Sequence, residues 1–327
     1  MKRIGKLTLV TLALTLLLLF HVDAAYGAYE GTSSGSATVG NAAPTVTNPK
    51  LLDATDTTNK NDTNMDVWTE YHVNCTVTDN NQLYDLTNVT FRIWEDTYAD
   101  ETSADSNVNH YTFAYFNNSD SFDEIGPDGS GKSHLIIGTC TKPSNREATS
   151  GTYKLAWKLH KTGNYTSNKT WKIKIIAYDS STSGSIQQLI FGVTFYRELA
   201  VNDASHGWSH LIVGTNDNLI DIPSDNDIDV SVTANAKFKL QAKGSGDLTS
   251  GSNTIALGNI TIHKDTLASS VSLTTSYADI GGLTNLASGE NQAHSFELWI
   301  DVPSGTPDGT YTYTLYVQVV QQVVQQT

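Results

Sequence analysis

Residues 126–133, GPDGSGKS, match in full the G-x-x-x-x-G-K-S pattern in which backbone N–H groups and a helix N-terminus cradle a phosphate. That chemistry needs a buried strand before the loop and a helix after it. HLIIGT (134–139) follows and reads as a strand, so an exposed Gly-rich turn is expected instead of a nucleotide site. Gly31–Gly35, GTSSG, matches the G-x-S-x-G nucleophile elbow, which belongs between a strand and a helix. Here it lies in a run of small polar residues, and no serine nucleophile is expected. His206 and His210 are four apart in HGWSH and could share a metal, with Asp203 or Asp217 nearby, but no HExxH pattern accompanies them. They rank as weak metal candidates beside a surface-loop reading.

Two stretches are rich in oxygen ligands: Asp225, Asp227 and Asp229 in DNDID, and Asp79-Asn80-Asn81. Calcium takes 6–8 oxygens in flexible geometry, so a structural Ca2+ in such a loop is conceivable chemistry, although neither stretch has the EF-hand spacing. Solvated turns are the alternative. No catalytic residue and no other cofactor is expected. Sequons occur at Asn61, Asn74, Asn88, Asn117, Asn164, Asn168 and Asn259, hardly more than chance for 25 Asn, yet six fall within residues 44–180, the first of two expected domains. Asn61, Asn117, Asn164 and Asn168 are the glycosylation candidates, the first two favoured by their loop-like surroundings. Six Trp could build sugar platforms. Trp171 continues the inward face of its strand and is expected in the core, whereas Trp94 has the opposite parity to Val89, Phe91 and Ile93 and is expected outside.

These residues sit in a chain of 327 with 42 Thr, 30 Ser, 25 Asn and 15 Tyr, and only 17% charged residues. Such a composition favours sheet over helix and excludes both a disordered polyampholyte and a polytopic membrane protein. The net charge of −14 repels nucleic acid and anionic membranes, so neither is an expected partner. Three positive charges in Met1–Lys6, an uncharged run from Leu7 to Val22, and small residues at Ala25 and Gly27 form the pattern of a signal peptide cut after Gly27. The run is shorter than the ~20 residues of a spanning helix, and no second apolar segment follows, so no membrane span is expected after cleavage. In an exported protein the two cysteines, Cys75 and Cys140, are expected to pair and close a loop of about 65 residues, adding roughly 2–4 kcal/mol.

Residues 28–43 are small and polar and read as a flexible N-terminal arm. From 44 to 180, period-2 alternation recurs in YHVNCTVTD (71–79), NVTFRIWED (88–96) and WKIKIIAYD (171–179). HYTFAYF, HLIIGT and YKLAWKL complete about seven strands, the cadence of an antiparallel β-sandwich. DSSTSGS (179–185) reads as a junction, with the linker at 181–186. A second β-sandwich is expected over 187–320, opening with QQLIFGVTFYRELAV and including WSHLIV (208–213) and TYTYTLYVQVV (310–320). In that last strand Tyr311, Tyr313, Leu315, Val317 and Val319 share the inward face. A Val/Gln tail, 321–327, follows.

VTDNNQLYDLTNVTFRIWED, followed much later by WKIKIIAYD, resembles the strand B–C and strand F regions of immunoglobulin-like modules in prokaryotic, especially archaeal, secreted surface proteins. DVPSGTPDGTYTYTLYV resembles the closing hairpin of β-sandwich modules in surface and filament proteins. No cysteine lies in 171–179, so Cys75 cannot make the B-to-F bridge of antibodies. The resemblance implies a non-enzymatic, extracellular or cell-surface structural protein, such as a filament or surface-layer subunit. An adhesin or carbohydrate-binding protein is the alternative, and a secreted hydrolase the third. The implied partners are other copies, through exchange of a terminal strand (28–43 or the tail), or cell-envelope components, with glycans as the alternative.

Overall fold

The computed structural model describes residues 35–36, 40–126, 134–180, 183–184, 187–203, 205–222, 225–264 and 270–322. The expected signal peptide, the Gly31–Ser34 part of the elbow pattern, residues 127–133 of the Gly-rich turn and the tail past Gln322 lie outside them. Contacts divide the chain into Met1–Asn41 and Ala42–Thr327, and every strand belongs to the second unit. The described residues form an all-β structure with two separate hydrophobic cores and no α-helix.

The first sandwich contains β1 (Thr45–Asp53), β2 (Asn64–Met65), β3 (Glu70–Thr78), β4 (Leu86–Glu95), β5 (His110–Phe116), β6 (Ser121–Gly126), β7 (Ser150–Lys158), β8 (Thr166–Asp179) and β9 (Gln187–Val193). One sheet has the order β1-β3-β7 and the other β2-β9-β8-β4-β5-β6; all pairs are antiparallel except β2 with β9. The alternation works as expected in β8, where Trp171, Ile173, Ile175 and Ala177 are fully buried while Lys172 and Lys174 point away. Trp94 departs from expectation: it is buried. It stands in β4, an interior strand, between its cross-strand partners His110 and Lys172, which cover the sheet's outer face there. HLIIGT is not a strand; Leu135 makes an isolated bridge to Trp157 and the chain then turns.

Two expectations at the domain junction are corrected. QQLIFGV does not open the second sandwich; it is β9 and closes the first, with Leu189, Phe191 and Val193 in the first core. DSSTSGS is therefore the connection of the β8–β9 hairpin, where Gly184 N–H donates to Ala177 O at 2.6 Å. The expected Cys75–Cys140 bridge is not formed, and both thiols are free. Cys75 of β3 pairs with Tyr153 of β7, whereas Cys140 lies on the other edge of β7, accepting the Ala156 N–H at 3.3 Å. Two strand spacings, roughly 9–10 Å, separate them, beyond the ~7 Å Cα limit of a disulfide. Burial pushes the Cys75 thiol up to about 12 and raises Cys140 as well.

The second sandwich contains β10 (Arg197–Val201), β11 (Asn218–Leu219), β12 (Ile228–Ala234), β13 (Phe238–Gly244), β14 (Leu248–Ser250), β15 (Asn253–Ile255), β16 (Ile260–His263), β17 (Val271–Ser272), β18 (Ala278–Asp279), β19 (Gly289–Ile300) and β20 (Leu315–Gln321). One sheet runs β10-β12-β19-β16-β17, with β11 beside β19; the other runs β18-β13-β20; β14 and β15 form a ribbon. WSHLIV is irregular chain, not a strand.

Buried Asn235 joins the two sandwiches. Its Oδ1 accepts the Tyr196 N–H at 2.8 Å, and its Nδ2 donates to Gly163 O at 3.1 Å and Thr194 O at 2.9 Å. Its own carbonyl accepts the Tyr165 N–H at 3.1 Å. Asn235→Ala strips partners from three backbone groups, of which Gly163 O is buried and the other two part-buried, and will cost about 1–3 kcal/mol. Calorimetry should then show a broader, less cooperative transition; an unchanged transition would mean that the junction is held elsewhere.

Candidate binding groove

The second sandwich adds β11, β14–β15, β16 and β17 and lacks counterparts of β2 and β6, but the difference that matters lies at the edge beside β20. The sheet β1-β3-β7 corresponds to β10-β12-β19, and the run β9-β8-β4-β5 corresponds to a run in which β20, β13 and β18 follow an empty first position. β8 is flanked by β4 and β9. β20 pairs with β13 alone, in a register that sets Leu240 against Val319, Ala242 against Val317 and Gly244 against Leu315. No described strand takes the place of β9.

The burial follows from this. The five residues expected inward do face the second core, and Val319 is buried, but Tyr311, Tyr313, Leu315 and Val317 are only half-buried. Their counterparts on β8 are fully covered. Leu199 of β10, at the edge of the facing sheet, is also half-buried. Between these edges opens a groove of about 860 Å³, reaching down to the core residues Ile228, Leu248, Ile255 and Ile300 and bounded by Val201, Leu315 and Val317. Ile228 and Ile300 belong to β12 and β19, so the floor of the groove is formed by core residues, which stay buried, while Leu315 and Val317 at its rim are half-buried.

The chain after β10 closes one end. Trp208 stacks on Tyr313 with ring centroids 6.3 Å apart, and its indole N–H donates to Asn218 O at 2.9 Å. His206 Nε2 and the Tyr313 hydroxyl are hydrogen-bonded at 2.9 Å. Burial lowers the His206 pKa and raises that of Tyr313, which favours the neutral pair. His206 is thereby committed to Tyr313, while His210 is exposed in a left-handed conformation with φ 58°. Both residues line the groove, but among the described residues the weak metal candidate they form gains no third ligand. Sequence reading missed Tyr313 as a site residue because its inward parity marked it as core.

Asp225, Asp227 and Asp229 do converge, each offering an oxygen within 4.8 Å of the others. Oxygens on one calcium lie at most roughly 4.6–5.2 Å apart, so the three are close enough to share an ion. Asp203, which lines the groove, accepts the Asp229 N–H at 2.7 Å. Burial raises the Asp227 pKa, reinforced by Asp225; burial also raises Asp229, reinforced by the charges of Asp225 and Asp203. A carboxyl raised in the folded state favours folding while protonated, and that contribution fades as pH climbs from the unfolded value through the raised one. Asp227→Asn should therefore gain stability relative to the parent between pH 4 and pH 7. Millimolar CaCl2 should raise the parent's thermal midpoint and leave that of Asp227→Asn unmoved. Equal midpoints with and without calcium would leave the cluster a solvated turn.

Other titratable groups serve the first sandwich. His72 Nδ1 lies 2.7 Å from Asp56 and its Nε2 3.0 Å from Glu70, and His110 Nδ1 lies 2.7 Å from Asp105. His134 Nδ1 donates to Glu124 Oε1 at 2.6 Å, and Glu124 Oε2 accepts the N–H groups of His134 and Leu135 at 3.2 and 3.1 Å. Glu124 and His134 flank the Gly-rich stretch, so their buried pair pins its base.

Of the sequons, Asn61 accepts the Ile190 N–H through Oδ1 at 3.0 Å. Asn117 donates from Nδ2 to Tyr84 O at 2.8 Å. Asn164 is half-buried and Asn168 is exposed. Access is best at Asn168, not at the loop-like pair favoured from sequence.

No family model and no curated protein matches the chain. Among solved structures, the C-terminal domain of the Streptococcus agalactiae antigen I/II polypeptide BspA is 10% identical, covering 85% of this chain and 96% of that one at a TM-score of 0.24. The C-terminal domain of the Streptococcus pyogenes antigen I/II-family protein AspA is 11% identical, with 84% and 95% covered at 0.23. A chain of a chaperone–tip adhesin complex of CFA/I fimbriae biogenesis is 11% identical, with 76% and 87% covered at 0.26. TM-scores of this size carry no argument about topology or function.

Proposed function

We propose that the protein is a non-enzymatic, exported surface protein that works by binding along the open edge of its second sandwich, as a subunit of a filament or surface layer. The observation that carries this reading is the contrast between β8, flanked on both sides, and β20, flanked on one side beside a groove over which Leu315 and Val317 are only half-buried. An unpaired strand edge over uncovered apolar side chains is the standard acceptor for an added strand, which brings main-chain hydrogen bonds and fills the pockets.

A glycan-binding reading needs open aromatic faces. Trp171 and Trp94 are buried, and the Lys158 ammonium sits 3.5 Å from the ring centroid of Trp68, the most exposed tryptophan. Tyr84 and Tyr98 are exposed, so it is the open edge of β20, and not a lack of aromatic faces, that favours binding of strands over binding of sugars.

The purified exported chain should self-associate in sedimentation and appear as linear assemblies under negative stain. Leu315→Asp, which puts a charge into the groove at a half-buried position, should leave the fold intact and abolish association. A monomer that binds glycans and is indifferent to Leu315→Asp would favour the adhesin reading.

A further inference from the structure

We infer that the groove's occupant is the N-terminal segment 28–43 of a second copy, inserted as the strand that β9 supplies in the first sandwich. This rests on the reading of the groove as a strand acceptor and names its partner.

The topology specifies a strand. β9 lies beside β8 and sends Leu189, Phe191 and Val193 into the first core. The vacant position lies beside β20, over Leu315 and Val317 and between them and β10. β20 is seven residues long, so an occupant must extend for about 24 Å.

The sequence of 28–43 meets those terms. After cleavage following Gly27, sixteen residues precede Pro44, with a contour of roughly 53 Å. That is enough for a seven-residue strand and a linker to the donor's β1. From Gly31 to Ala43 there is no charge to desolvate and no proline, so each residue offers both an N–H and a C=O. Ala37, Val39 and Ala43 fall on one side of an extended chain. Side chains this small suit a groove whose end is already filled by Trp208 and Tyr313. The segment after β20 fits less well: QQVVQQ (321–326) runs in pairs, so an extended strand would turn Gln as well as Val toward the groove.

Donation from the first sandwich of one copy to the second sandwich of the next is head-to-tail. Such contacts do not close on themselves and generate filaments.

The test compares three exported proteins: the full chain, a chain lacking 28–43 with residues 1–27 retained for export, and the full chain carrying Leu315→Asp. A fluorescent peptide of sequence 28–43 is the probe. The full chain should form concentration-dependent linear oligomers, and the deletion should be monomeric. The monomeric deletion protein should bind the peptide, and adding Leu315→Asp to it should weaken that binding at least tenfold. The Asn41→Asp, Val39→Asp double variant of the peptide, which keeps length but adds charge, should also bind at least tenfold more weakly. Should the deletion assemble as well as the full chain while Leu315→Asp does not, the groove is an acceptor but 28–43 is not its occupant. A full chain that is monomeric with the peptide excluded from the groove would mean that 28–43 folds back within one copy, which also overturns the proposal. If neither change affects assembly and the peptide does not bind, the acceptor reading itself is wrong.

Discussion

Trp171→Ala will destabilise the first sandwich by about 3–5 kcal/mol, a large fraction of the 5–15 kcal/mol that holds a typical domain. Trp171 is fully buried at the centre of β8. It stacks on Phe191 of β9 with centroids 5.6 Å apart and lies 6.0 Å from Tyr111. Its indole N–H donates to Asn164 O at 2.9 Å. Removing the ring opens a cavity between the sheets and leaves that carbonyl without its donor. Urea unfolding should show a lower midpoint with little change in slope. Trp171→Phe should retain most of the stability. A Trp171→Ala loss below about 1 kcal/mol would mean that β9 does not close this core.

Glu124→Ala will cost a similar amount, about 3–5 kcal/mol, because it breaks a buried Glu–His hydrogen bond and leaves the imidazole of His134 without its acceptor. It also strips the N–H groups of His134 and Leu135 of their shared carboxylate oxygen. Glu124→Leu with His134→Leu should recover part of the loss by removing both buried polar side chains together. Recovery should be incomplete, since the two backbone donors still lack an acceptor. The interaction between the single changes, read from a double-mutant cycle, is the measure. Additive effects would show that the pair is not coupled and does not pin the base of the Gly-rich stretch.

The sequence made the strands legible where alternation was strict. The WKIKII pattern marked the inward face of β8, and the parity of Tyr311, Tyr313, Leu315, Val317 and Val319 was correct. It misled where a residue's surroundings come from neighbouring strands. Trp94 has outward parity, yet an interior strand of a six-stranded sheet can be covered on both faces. DSSTSGS has the composition of a linker and of a hairpin connection alike, so only the pairing of β8 with β9 decided its role. The cysteines were counted correctly, but β7 stands between them, and no spacing along the chain reveals that.

The groove was illegible for a related reason. An open edge is the absence of a pairing partner, and nothing within TLYVQVV records whether another strand lies beside it. Partial burial of residues with perfect inward alternation is the structural sign, and it appears only when β20 is set against β8. The aspartates of DNDID were legible because they lie close in sequence, whereas the pairing of His206 with Tyr313 spans 107 residues.

Hydrogen exchange at β20 tests the central claim most directly. In the chain lacking 28–43, the alternate amides of Leu315–Gln321 that do not bond to β13 should exchange much faster than amides at the centre of β8. On assembly of the full chain, or on addition of the 28–43 peptide, those amides should become at least tenfold slower. Equal protection of β20 and β8 before any strand is supplied would contradict the account, because it would mean that the edge of the second sandwich is already closed.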